Sequence, residues 1–289
     1  MQNRLEYLVF IFLSKIFCFF GLKKSLVFSK VLGKFAYNIL QIRRDVVHKN
    51  LKIAFPQKTD EEIEQIARKC YLGFAATLIE ILVFPSLTEK DLLDYVSCDN
   101  MEEVTGTIAL GKGLVFMTAH FGNWEYAAVS MGVMLRRSIM MVVKGQRNTL
   151  VDEWINRQRS MYGNRTVYLG VSIKQIFKEI SDKGIVAIVG DQRGPSDGLK
   201  VDFFGRETRV YPGPAAIALK TGAPVLMGFM VRRPEGGYGS HMTPLSKEGL
   251  PEDREEQIQV LTQRHMKLLE EKLIEHPDHW LWMHNIWKY

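Results

Sequence analysis

His120 and Glu125 stand at the two ends of the hexapeptide His120-Phe121-Gly122-Asn123-Trp124-Glu125. A histidine changes its charge near neutral pH, and a carboxylate nearby can fix its tautomer, so the two together suit general acid–base chemistry. The spacing alone carries little. With 7 His and 32 Asp+Glu in 289 residues, roughly 0.8 pairs with this gap arise by chance. A second such pair, His265 and Glu270, falls in a predicted helix, where five residues turn about 500° and leave the side chains about 140° apart. The setting is what singles out the hexapeptide. The apolar run Leu114 to Ala119 before it is β-branched and aromatic enough to be a buried strand. Gly122 allows a tight turn, and Asn123 can cap a helix continuing through Tyr126 and Val129 to Met131. His120 then lies at the carboxyl end of a strand, which is where open α/β sheets bind ligands.

The elements that must hold these residues follow from composition and pattern. At 46% hydrophobic and 24% charged, the chain can bury a large core, and one α/β domain is expected. Residues 1–58 hold eleven Lys+Arg against Glu6 and Asp45, a net +9 that leaves −3 for the remainder. A basic amino-terminal fifth on a mildly acidic body points to an anionic surface, either membrane or nucleic acid. The membrane is preferred, because the basic stretch is interleaved with apolar residues and not with base-stacking aromatics. Cys18, Cys70 and Cys98 are too few and too far apart for a disulfide framework or a zinc site, which fits a reducing compartment.

Leu5 to Leu22 is the most apolar stretch. It lacks the small-residue cleavage site of a secretory signal, and Glu6 and Lys15 interrupt it as a spanning helix. It reads as a short anchor or in-plane membrane helix, with a core helix as the alternative. The lysines that follow would keep the body on the cytoplasmic side. A polar helix is expected from Arg43 to Leu51. Thr59 and Asp60 then offer a cap for a long amphipathic helix carrying Ile63 to Leu82, with Glu61 and Glu62 in its first turn. Beyond residue 113, strands are expected over Leu114–Ala119, Ser138–Val143, Arg165–Tyr168, Ile185–Val189, Val225–Val231 and Tyr238–Thr243. Helices fall near Asn123–Leu135, Leu150–Tyr162, Ser172–Asp182 and Gly213–Thr221, with a last one over Asp253–Ile274. This alternation predicts a mainly parallel sheet flanked by helices. The expected organisation is a membrane anchor over residues 1–35 and a single α/β domain over 36–289. His276, His279 and His284 do not have zinc-ligand spacing, so no metal is expected and the tail reads as structural.

Several segments in order resemble the late acyltransferases of lipid A biosynthesis, which transfer lauroyl and myristoyl chains. They are Asn50-Leu51 through Phe55-Pro56, the whole hexapeptide, Asn148 with Asp152, and Arg159 ahead of Tyr162-Gly163. Asp191-Gln192, Phe203-Phe204-Gly205 and His276-Pro277 with Trp280-Leu281-Trp282 complete the set. The resemblance implies a glycerolphosphate-acyltransferase-like α/β sandwich, in agreement with the wiring. It also implies that His120 is the general base and that Glu125 orients it, with Asn123, Lys144, Arg159 and Asp191 on the substrate side. Three positions depart from the family pattern. Lys144 stands for the usual Arg, Asp202 for the Pro before the two phenylalanines, and Asn285 for an Arg.

Acyl transfer from a thioester to a hydroxyl needs a base for the proton and donors for the oxyanion. An ionised Glu125 on one ring nitrogen would free the other as base, and backbone N–H groups near Gly122 or the Arg159 side chain could hold the oxyanion. The expected donor is acyl carrier protein or acyl-CoA, and the expected acceptor is a lipid A precursor or a related membrane glycolipid. No cofactor is needed, and nucleic acid is not an expected partner. The expected location is the cytoplasmic face of a bacterial inner membrane. The rival reading is a catalytically inactive lipid-binding membrane protein of the same fold.

Overall fold

The computed structural model describes residues 2–170 and 173–288. Its centre is a seven-stranded sheet built from β1 (Val96–Cys98), β2 (Leu114–Thr118), β3 (Ile139–Val143), β4 (Arg165–Tyr168), β5 (Ile185–Val189), β8 (Val225–Arg232) and β9 (Tyr238–Pro244). The strand order is β1-β9-β8-β2-β5-β3-β4, and every pairing is parallel except β8 with β9. The six expected strands are all present. The near-continuous apolar runs of β2 and β5 fit strands covered on both faces, and each face packs its own buried cluster. The short edge strand β1 and a separate hairpin of β6 (Leu199–Phe203) and β7 (Arg206–Val210) were not expected. At three residues β1 is too short to show a period. In β6 and β7 the alternation is plain, but the expectation followed βα wiring and passed over a hairpin.

Helices cover the sheet where expected, including Trp124–Leu135, Thr149–Arg159, Gly213–Thr221 and Arg254–Glu275. The helix expected from Ser172 runs over Ile173–Ser181, and Ser172 itself lies outside the described residues. Thr59 and Glu62 form a reciprocal capping box on the helix Asp60–Val83.

The helix Gln2–Phe35 changes direction at Gly21 (φ 70) and packs along Asp60–Val83. Its sidedness is the reverse of a core helix. The small residues Ser14, Ser25, Ser29 and Gly33 are buried, while Leu5, Phe12, Phe19, Val27 and Val31 are more than 60% exposed. Ser14 donates to the Leu82 carbonyl (2.7 Å). A Cβ on Gly33 would stand 2.9 Å from the Leu72 Cα, so glycine is what lets the two backbones meet there. The far end is also fastened, since the Asn148 amide donates to the Asn3 carbonyl and to Glu6. By length and composition, Gln2–Leu40 is apolar enough to cross a membrane.

Candidate active site

β2 ends at Thr118, opposite Val189 of its parallel neighbour β5. Continuing both strands by two residues brings His120 and Asp191 out side by side at the carboxyl edge of the sheet. The His120 ring donates from Nδ1 to Asp191 Oδ1 (2.8 Å), and the His120 backbone N–H donates to Asp191 Oδ2 (2.8 Å). The Trp280 indole donates to the same Oδ2 (2.6 Å). Asp191 is therefore buried (2% exposed) yet accepts three hydrogen bonds, which is how a buried carboxylate stays ionised. Burial pushes its pKa up, but the His120 charge and the bonds from the His120 ring and Trp280 hold it well below the usual carboxylate range. Burial likewise pulls the His120 pKa down. The Asp191 charge and hydrogen bond, with smaller help from Glu125, outweigh this and raise it above its ordinary 6.5.

With its proton held on Nδ1, the ring leaves Nε2 as the free base, and Gln192 Nε2 lies 3.4 Å from it. The His120 side chain is 19% exposed and lines a cavity of about 370 Å³ with Gly122, Trp124, Arg232, His279 and Leu281. Of the six residues expected at the site, this cavity reaches His120 alone.

The carboxylate on the ring is thus Asp191. Glu125 faces the other way and grips Arg159 through both oxygens, at 2.8 Å to Nε and 2.7 Å to Nη2. The turn at Gly122 separates Glu125, the second residue of the helix Trp124–Leu135, from the strand end, and Trp124 lies between, its indole edge-on to the His120 ring (4.9 Å) and donating to Glu125 Oε1 (3.2 Å). Glu125 and Arg159 line a second, much smaller cavity with Ile81, Phe84 and Val129. Arg159 is committed further by Nη1, which donates to Asn156 Oδ1 (2.9 Å).

Asn123 is fully buried, and both ends of its amide are used inside the fold. Its oxygen accepts from the Tyr126 N–H as helix cap, and its nitrogen donates to Glu80. Lys144 is exposed just past β3, away from the His120 cavity. Gly122 has φ +58, and a Cβ there would meet the Met230 carbonyl oxygen at 1.9 Å. Its N–H donates to the His279 carbonyl (2.8 Å), so it is not available to an oxyanion.

Two supports hold these residues, and the first has no counterpart in the sequence reading. Glu80 is fully buried and accepts from Arg232 Nη1 and Nη2, the Tyr95 and Tyr238 hydroxyls and Asn123. Its signal was present: Glu80 is the single charged residue between Cys70 and Val83 in an apolar helix. The other support is the tail. Phe121 bridges Trp280, and the Leu281 N–H donates to the His120 carbonyl. Phe203 packs edge-on against Trp280 (5.9 Å) and tilted against Trp287 (5.7 Å), so the Phe203-Phe204 motif supports the indole that holds Asp191. Of the tail histidines, His279 accepts the Arg232 N–H and His284 the Arg193 N–H through Nε2. Asp202 donates its N–H to Gln263 (2.8 Å), a bond a proline could not make.

A mainly parallel sheet with an oriented histidine at its carboxyl edge, opening on a cavity beside an outward-apolar helix, is the arrangement of an α/β enzyme. The chain belongs to the bacterial lipid A biosynthesis acyltransferases, whose family model matches residues 2–289. It is 24% identical over 279 residues to the lipid A biosynthesis palmitoleoyltransferase of Escherichia coli (strain K12), covering 94% of this chain and 85% of that one. It is 23% identical over 261 residues to the lipid A biosynthesis lauroyltransferase of the same organism, covering 89% and 83%. It is also 27% identical over 156 residues to a phosphatidylinositol mannoside acyltransferase of Mycobacterium tuberculosis (strain ATCC 25618 / H37Rv), covering 51% and 48%.

Proposed function

We propose that this protein moves a fatty acyl chain from the thioester of acyl carrier protein or acyl-CoA to a hydroxyl of a lipid A precursor or related membrane glycolipid. The observation that carries the reading is the His120 ring, held by Asp191 at Nδ1 and part of the cavity wall. His120 Nε2 takes the hydroxyl proton as the oxygen attacks the thioester carbonyl. The tetrahedral oxyanion lies near the start of the helix Trp124–Leu135, where the first N–H groups have no intrahelical acceptor and the helix dipole is positive. Collapse breaks the C–S bond, forms the ester and expels a thiolate, which receives the proton from the His120 imidazolium. Asp191 keeps the tautomer and stabilises the imidazolium. Glu125, paired with Arg159 behind Trp124, adds negative charge at longer range.

The helix Gln2–Phe35 serves as an in-plane membrane anchor for the domain over residues 36–289, because both its ends are fastened to the body while its large apolar side chains face out. The body then lies on the cytoplasmic face of the bacterial inner membrane, with the lysines after Leu22 on the same side.

The test is a reconstituted assay: purified protein, acyl thioester and acceptor glycolipid in vesicles, read by thiol release and by the mass increment of the lipid. One acyl chain added by wild type and lost with His120→Ala is the expected result. Equal acylation by wild type and His120→Ala would remove the mechanism, and no increment on any glycolipid acceptor would leave a lipid-binding protein of the same fold.

A further inference from the structure

Beyond Gly21 the amino-terminal helix has three distinct faces. Ser25, Ser29 and Gly33, four residues apart, are buried, with Gly33 against Leu72. Leu26, Lys30 and Lys34, one position further round, line the same cavity as His120. Val27, Val31 and Phe35, about 200° from the buried face by helical geometry, are exposed by 63%, 67% and 46%. Lys69, from the facing helix Asp60–Val83, enters the cavity beside them. None of these three lysines forms an ion pair among the described residues. Arg232, also in the lining, is taken by Glu80. Asp278 is the single carboxylate among the described lining residues, and it sits 3.3 Å from His279 Nδ1.

The cavity therefore joins a candidate base to three lysines on its wall, of which Lys69 also acts on the Asp278 carboxylate. The cluster stands one helix face away from the apolar side chains that point outward. Three flexible point charges suit a phosphate, and their position beside the apolar face matches the depth of a lipid headgroup. A phosphate reaching them from the bilayer would bring its sugar toward His120. This favours the acceptor over a donor arriving from water.

We propose that Lys30, Lys34 and Lys69 form the phosphate subsite for a phosphorylated glycolipid acceptor, so that the amino-terminal helix is a wall of the substrate site as well as an anchor. The inference rests on the reading that a membrane glycolipid is the acceptor.

The test compares wild type with Lys30→Gln/Lys34→Gln and with Lys69→Gln. Each is assayed on phosphatidylcholine vesicles carrying a phosphorylated lipid A precursor or the same lipid after phosphatase treatment. The expected result is a KM for the phosphorylated acceptor raised about tenfold or more, a smaller change in kcat, and little change in KM for the dephosphorylated lipid. An equal rise for both acceptors, or a rise confined to the thioester donor, overturns the proposal. Flotation of the His120→Ala protein with the same vesicles separates this inference from the acyl-transfer reading. Preference for the phosphorylated vesicles, abolished by the lysine changes, supports the subsite even if no transfer is found. No preference overturns the subsite even if transfer proceeds.

Discussion

Two buried carboxylates hold the hexapeptide, one at each end of its turn, and they are built for opposite purposes. Asp191 grips His120, a group that has to gain and lose a proton, and accepts one further side-chain bond, from Trp280. Glu80 grips Arg232, a permanent cation, and is also saturated by two tyrosines and Asn123. A charge opposite a titratable ring sets when that ring is protonated, whereas a charge opposite an arginine only fixes geometry. The first arrangement belongs to chemistry and the second to the scaffold that aims it.

That contrast can be broken by substitution. His120→Ala should give the largest change, a loss of about 10²–10⁴ in kcat/KM measured by thiol release. Asp191→Asn should come close to it in kcat/KM and also move the pH profile. In wild type, activity requires neutral His120 and so rises with pH through a pKa above 6.5. Without the Asp191 charge, burial outweighs the smaller upward pull of Glu125, so the acidic limb should shift to lower pH. A limb that stays in place would show that Asp191 does not set the His120 titration.

Stability should respond to the same two residues differently. Because the Asp191 pKa is depressed in the fold, its contribution is present above the unfolded carboxylate pKa and is lost as pH falls through the folded value. Asp191→Asn and wild type should therefore converge in urea midpoint toward strongly acidic pH. Glu80→Gln should cost about 3–5 kcal/mol of stability, because Arg232 is left without its counter-charge. The acidic limb of its pH profile should not move. A shifted limb with unchanged stability would erase the distinction between the two carboxylates.

Glu125→Gln is the intermediate case and the smallest expected effect. The Glu125–Arg159 pair keeps some contact with solvent, at 17% and 13% side-chain exposure, so its loss should cost less stability than that of the fully buried Glu80. The fall in kcat/KM should be smaller than for Asp191→Asn. Equal losses for Glu125→Gln and Asp191→Asn would mean that Glu125 takes part in the proton transfer as directly as Asp191.

Much of this was legible locally. The strand before His120, the turn at Gly122, the Asn123 cap and the capping box at Thr59 all depend on residues within one or two turns of one another. The inside-out amino-terminal helix was legible only in part. Its apolar content was plain, but the docking of Ser14, Ser29 and Gly33 depends on a partner helix some forty residues or more further along the chain. The role of Asn123 was read as contact with substrate, because a sequence does not show Glu80 meeting the far end of the amide.

The sequence by itself determined that a histidine would emerge at a strand end beside a helix start, since hydrophobic period, turn glycine and cap are local properties of the chain. Which carboxylate would meet that histidine was decided only by the tertiary structure. The five-residue spacing points to Glu125, but the turn at Gly122 and the start of the helix Trp124–Leu135 bring that side chain to Arg159. Asp191 is 71 positions distant, and the parallel register of β2 with β5 sets it against the ring. A register between two strands is fixed by the packing of the whole sheet, so no stretch of sequence around His120 contains it.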